Sequence, residues 1–154
     1  MEFLSSLHPV SVHFPIALIT VYTLGEIFAI VKNEQTYYSF TLILLLSGMI
    51  GAVMSVLTGN QAMHFLLENA NNVSTELEGL VESHESYANY FLWFYLFFTV
   101  LRVYLQISKK IFFKIRYILM ILLIFGAFLT YETGRLGGLL VHKFGAGTEL
   151  ILGN

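Results

Sequence analysis

The apolar positions of this chain gather into four long runs with polar breaks between them. The runs cover about residues 10–31, 37–57, 87–107 and 111–131. Each is close to the ~20 residues that a helix needs to cross the hydrocarbon core of a bilayer. Within the polar stretch "STELEGLVESHES", Thr75 and Glu78 stand at capping-box spacing. The third helix is therefore expected over 75–107, starting outside the bilayer. The breaks "KNEQT" and "SKK" are short, so the helices they join are expected to be antiparallel neighbours. The longer break, 59–86, reads as an outer loop. The Gly-rich end, 132–154, reads as an outer tail. The expected fold is all-α, a single four-helix transmembrane bundle.

Composition supports that reading. The 154 residues are 56% hydrophobic and only 12% charged, with a mean hydropathy of +0.73; a soluble domain carries about 25% charge. The lipid bilayer is thus an expected partner. No basic region precedes the first apolar run, so it reads as a span and not as a cleaved leader. With no cysteine, thiolate metal sites, iron–sulfur ligation and thioether-linked haem are excluded for this chain alone. The net charge of −2 and the absence of a basic groove-like stretch speak against nucleic acid.

Charge gives an orientation. Lys32, Arg102, Lys109, Lys110, Lys114 and Arg116 lie at the two short breaks; Arg135 and Lys143 lie at the other end. The positive-inside rule puts the short breaks in the cytoplasm and both termini outside. The expected location is a bacterial inner membrane. Glu26 is the one acid deep in a run, and Lys32 or a lipid head group is its expected partner. With no evident broken helix or buried charge pair, a transporter is disfavoured.

All five histidines, His8, His13, His64, His84 and His142, fall at the outer end. Neutral imidazole ligates haem iron, zinc and copper. His13 opens the first helix with Ala17 one turn deeper; His84 opens the third with Ala88 one turn deeper. In a bundle arranged in chain order these helices are diagonal, so His13 and His84 could reach one iron from opposite sides. The bland alternative is an ordinary interfacial histidine, and it fits His8 and His64 best. His8 precedes Pro9, which places it in extended or turn geometry outside the helix. Arg135 could hold a haem propionate through its guanidinium, or merely snorkel to the interface. His142 is a second candidate for a propionate.

The chain also repeats itself. "GAVMSVLTG" (51–59) and "GAFLTYETG" (126–134) match at Gly, Ala, Thr and Gly; Ser55 aligns with Thr130 and Ala62 with Gly137. Two duplicated hairpins related by a pseudo-twofold axis along the membrane normal are expected. The small residues form stripes, including Gly59 on the second helix and Gly134, Gly137 and Gly138 on the fourth. Such stripes permit close helix packing, or leave room for a flat cofactor.

The opening "HPVSVHFPIAL", the "TG" after the second run, the histidine of "SHES" and the closing "TGRLGGLLVHKFGAG" together resemble the membrane family called domain of unknown function 2231. The matching positions are His8, Pro9, His13, Phe14, Pro15, Gly59, His84, Gly134, Gly137, Gly138 and Gly147. The tail departs from the family's Tyr-x-His-Gly, reading His142-Lys143-Phe144-Gly145. The resemblance implies haem binding and electron transfer.

The leading expectation is a b-type haem protein passing electrons near the outer, periplasmic face, as a subunit of a redox complex more than as a stand-alone enzyme. His13 and His84 would be axial ligands of haem b, Gly59, Gly134, Gly137 and Gly138 would make room, and Arg135 and His142 would hold propionates. His8, His64 and His142 are lesser ligand candidates. A periplasmic carrier, quinol or other membrane redox subunits are the expected partners. The alternative is a non-redox membrane subunit whose outer His/Glu cluster binds zinc or copper, or serves as a docking surface.

Overall fold

The computed structural model describes residues 2–32, 35–69, 74–108 and 113–146. The two short links lie largely outside these residues, as do Gly147 and Glu149 of the tail. Five helices form: α1 (Glu2–Ser11), α2 (His13–Lys32), α3 (Gln35–Asn69), α4 (Thr75–Ser108) and α5 (Phe113–Phe144). Four stretches are long and apolar enough to span a membrane: Leu7–Lys32, which joins α1 to α2, and Thr36–Leu66, Thr75–Ser108 and Ile115–Phe144. The protein is an all-α four-helix transmembrane bundle. α2 packs on α3 and α5, and α4 packs on α3 and α5. α2 and α4 therefore stand diagonally.

Two expected boundaries change. α3 continues to Asn69 and α5 to Phe144, so most of the expected loop 59–86 and of the tail as far as Phe144 is helical. The small residues that read as stops are helix-packing surfaces. At ~1.5 Å per residue, the 35 residues of α3 and 34 of α4 are each about 50 Å long, against a core of about 30 Å. The excess forms a cap at the histidine end with its own apolar cluster, Leu66, Leu77, Val81 and Leu140. α4 begins at Thr75 as expected, but Ser74 is its cap: the Leu77 amide donates to Ser74 Oγ at 3.1 Å. α5 ends where Gly145 turns to φ 66° and its amide donates to the Val141 carbonyl, a left-handed stop that glycine adopts without strain.

The break between α1 and α2 comes from Pro15. Proline has no amide hydrogen, so the carbonyl four residues earlier, on Ser11, loses its helical donor. Ser55 of α3 supplies a replacement: its hydroxyl donates to the Ser11 carbonyl at 3.0 Å. His8 and Pro9 lie within α1; the expectation that His8 sits outside the helix is overturned.

Polarity is inverted relative to a soluble bundle. Val21, Leu24, Val31, Phe97, Val100 and Ile107 face outward, while Glu26, Thr41, Thr99, Thr130 and Arg102 are buried. Water would expel such an arrangement; lipid favours it, because polar groups find their partners inside.

Candidate functional site

The end of the bundle that holds the histidines carries a polar layer between two apolar clusters. In the first hairpin, His8 lies against α3. Its Nδ1 is 3.2 Å from Thr58 Oγ1. The Thr58 hydroxyl also reaches the Met54 and Ser55 carbonyls at 3.0 and 3.1 Å, and when its hydrogen goes to either of them the imidazole Nδ1–H donates to Thr58. The ring is flush on Gly59, where an added Cβ would come within 2.8 Å of His8 Cε1. In the second hairpin, His84 lies against α5. Its Nδ1 donates to the Thr133 carbonyl at 3.1 Å, an oxygen that can only accept. The ring rests on Gly137, where a Cβ would come within 3.1 Å of His84 Cε1. The His84 ring thus carries hydrogen on Nδ1 and keeps the Nε2 lone pair for a ligand, and the His8 ring is held through the same nitrogen. His8 and His84 are within each other's electrostatic reach.

His13 is placed elsewhere. Its Nδ1 donates to the Pro9 carbonyl at 2.6 Å, and the side chain is exposed. It borders a shallow apolar groove of about 200 Å³ with Phe14, Ala17 and Leu18. His13 and His84 are thus not brought together; His8 and His84 are the partly buried imidazoles, His8 against α3 and His84 against α5. The reason is geometric. The Pro15 break turns α1 against α3, so His8 enters the Ser11–Ser55–Thr58 network while His13, at the break itself, points out.

Deeper in the bundle lies a fully buried ion pair. Arg102 Nε donates to Glu26 Oε1 at 2.5 Å. Arg102 Nη2 donates to the Tyr38 carbonyl at 3.0 Å and Nη1 to Gln106 Oε1 at 3.1 Å. The Thr41 hydroxyl donates to Glu26 Oε2, and the guanidinium stacks over the Tyr38 ring, 5.2 Å from its centroid. This replaces the expected pairing of Glu26 with Lys32 or a lipid head group. It also removes one ground for disfavouring a transporter, since the chain has a buried charge pair. Arg102 read as a flanking charge because it stands seven residues from Lys109; nothing in local spacing separates a snorkelling arginine from a buried one.

The repeat reaches further than the small-residue motif. Residues 4–150 match the family described as predicted membrane protein (DUF2231). The chain belongs to that family. No curated protein and no solved structure matches this DUF2231 chain, so its chemistry has to be argued from its own residues.

The other expected site residues of this DUF2231 protein divide by environment. Gly134 and Gly138, one turn apart on α5, have nothing within 4 Å of an added Cβ, so that strip of helix is open. Gly59 and Gly137 are instead filled by imidazole. Arg135 gives Nε and Nη2 to Glu132 Oε2 at 2.9 and 2.7 Å, so part of its fork is engaged by a neighbour on the same helix. His142 and His64 are exposed. Lys143 pairs with Glu76 across the cap. Among the described residues no group of three or more His, Cys, Asp or Glu stands together to hold a metal.

Proposed function

We propose that this protein is a membrane-embedded b-type haem subunit that passes electrons at the outer end of the bundle. The observation that carries the reading is the donor set. The polar layer offers two imidazoles whose Nδ1 is hydrogen-bonded to a threonine oxygen, with Nε2 as the nitrogen that would serve a ligand. Hydrogen bonding of the far nitrogen is how ligating histidines are oriented. A porphyrin supplies four nitrogens, so haem iron needs only two from the protein. Tetrahedral zinc needs three or four, more than this layer gathers among the described residues. The glycines fit the same reading, because a methyl on Gly59 or Gly137 would push an imidazole off its seat. Held by two histidines, haem would supply one-electron transfer. The chain's own part is to hold the imidazoles, and to exclude water between the cap cluster and the buried core.

In this reading the layer lies at the periplasmic side of an inner membrane. Arg102 drops out of the charge count because it is buried, yet Lys32, Lys109, Lys110, Lys114 and Arg116 still outnumber Arg135 and Lys143. A water-soluble carrier, a quinol or another redox subunit would exchange electrons there. Arg135 and His142 remain the residues closest in kind to propionate partners.

The test is the visible spectrum of protein purified in detergent after expression with ample haem. A Soret band with sharp α and β bands on dithionite reduction is expected. A colourless preparation would refute the reading. It would favour the second one, a non-redox subunit with a docking surface, for which the exposed Glu78, Glu82 and Glu85 along one face of α4 are the motivating feature.

A further inference from the structure

The geometry points to His8 and His84, paired across the internal twofold axis, as the two residues that would hold a single haem. The assignment rests on the haem reading above and adds the identity of the second ligand, which sequence spacing gave to His13.

The argument is one of register. A shift of 75 residues carries Gly51, Ser55 and Thr58 of α3 onto Gly126, Thr130 and Thr133 of α5. For α1–α2 against α4 the shift is 76. It carries His8 onto His84, Tyr22 onto Phe98, Thr23 onto Thr99 and Glu26 onto Arg102. The threonine environments agree with this register, while the glycine under each ring differs, Gly59 aligning with Gly134 and His84 resting on Gly137. Thr23 donates to the Ile19 carbonyl and Thr99 to the Tyr95 carbonyl, each four residues back. His8 bonds Thr58 and His84 bonds Thr133, and these threonines are equivalent. In the same register the counterpart of His13 is Asn89, which has no imidazole.

A twofold axis brings a residue on it face to face with its own counterpart. Two pairs already do this. Tyr22 and Phe98 meet edge-on with centroids 6.2 Å apart, and Glu26 meets Arg102. The same register makes His8 and His84 the third pair of counterparts along that line, at the end of the bundle beyond Ile19 and Tyr95. Below them the axis is closed by Ile19, Tyr22, Tyr95 and Phe98, all fully buried. The outer layer is where the axis is bordered by imidazole, serine and threonine, and so where a polar metal centre could stand.

The test compares ligand variants with a haem-free measurement of proximity. Haem-loaded wild type should show low-spin iron with two imidazoles by electron paramagnetic resonance. His8→Gly and His84→Gly should each lose that signal, and added imidazole should restore it. His8→Met should keep a low-spin iron and raise its potential, as a methionine ligand does. His13→Gly should leave the signal intact. Separately, with no native cysteine present, the pair His8→Cys/His84→Cys should be joined by a short bifunctional thiol reagent, and His13→Cys/His84→Cys should not. A coloured protein whose low-spin signal survives His8→Gly, or cross-linking at 13/84 in place of 8/84, overturns the assignment and leaves the haem reading standing. A colourless wild type overturns both.

Discussion

Arg102→Leu removes a guanidinium from the centre of the bundle and leaves Glu26 behind. The structure sets the scale. Arg102 loses its contact with Glu26 at 2.5 Å and its hydrogen bonds to the Tyr38 carbonyl and to Gln106. Both side chains of the pair are 0% exposed, so water cannot take the place of the guanidinium. Breaking a buried pair by removing one partner costs about 3–5 kcal/mol, or about two to four decades in the unfolding equilibrium at ~1.36 kcal/mol per decade. Thr41 still donates to the carboxylate, which favours the lower half of that range. The double variant Glu26→Leu/Arg102→Leu removes both charges, and replacing a whole buried pair by apolar groups is commonly neutral or stabilising. It should unfold close to wild type. Reversible unfolding in mixed micelles with rising dodecyl sulfate measures this, and the single tryptophan, Trp93, reports it. A single variant within about 1 kcal/mol of wild type would refute the claim that the pair is desolvated. So would a double variant as unstable as the single one.

Three further outcomes follow from the packing. Gly126→Ala would set a Cβ 2.6 Å from the Tyr95 hydroxyl and 2.8 Å from the Phe94 ring; overpacking of this kind costs about 1–3 kcal/mol, and a drop in melting temperature in detergent reads it. Gly59→Ala should displace the His8 ring and lower stability, whereas Gly134→Ala, with open space at its Cβ, should melt within about 0.5 kcal/mol of wild type; equal effects of the two would argue against the cradle. Ser55→Ala leaves the Ser11 carbonyl without the donor that Pro15 denies it, at a cost of about 1–3 kcal/mol. Adding Pro15→Ala should recover most of that loss, and thermal denaturation of the two variants side by side tests it.

The spans were legible because a bilayer imposes a length, and the sequence meets it four times. The duplication was legible in Gly51–Gly59 and Gly126–Gly134, where backbone contact allows few residue types. The ends of α3 and α5 were not, because a glycine that seats a side chain reads like one that stops a helix. The choice between His8 and His13 turned on Pro15, whose effect is exerted on Ser11 and answered from another helix by Ser55; no local pattern records that. Glu26 and Arg102 lie 76 residues apart. Extending the repeat beyond its small-residue motif would have aligned them, since the shift that matches Thr23 with Thr99 matches this pair as well.

That pair has a consequence for assembly. Were either hairpin to associate with a second copy of itself, the axis would confront carboxylate with carboxylate, or guanidinium with guanidinium, in a setting with little water to separate them. Each hairpin therefore repels its own kind at the midpoint and accepts only its complement. Opposite charges at equivalent positions make the duplicated halves a lock and its key, so that two nearly interchangeable pieces find one arrangement in the membrane and reject the symmetric mispairings that their likeness would otherwise invite.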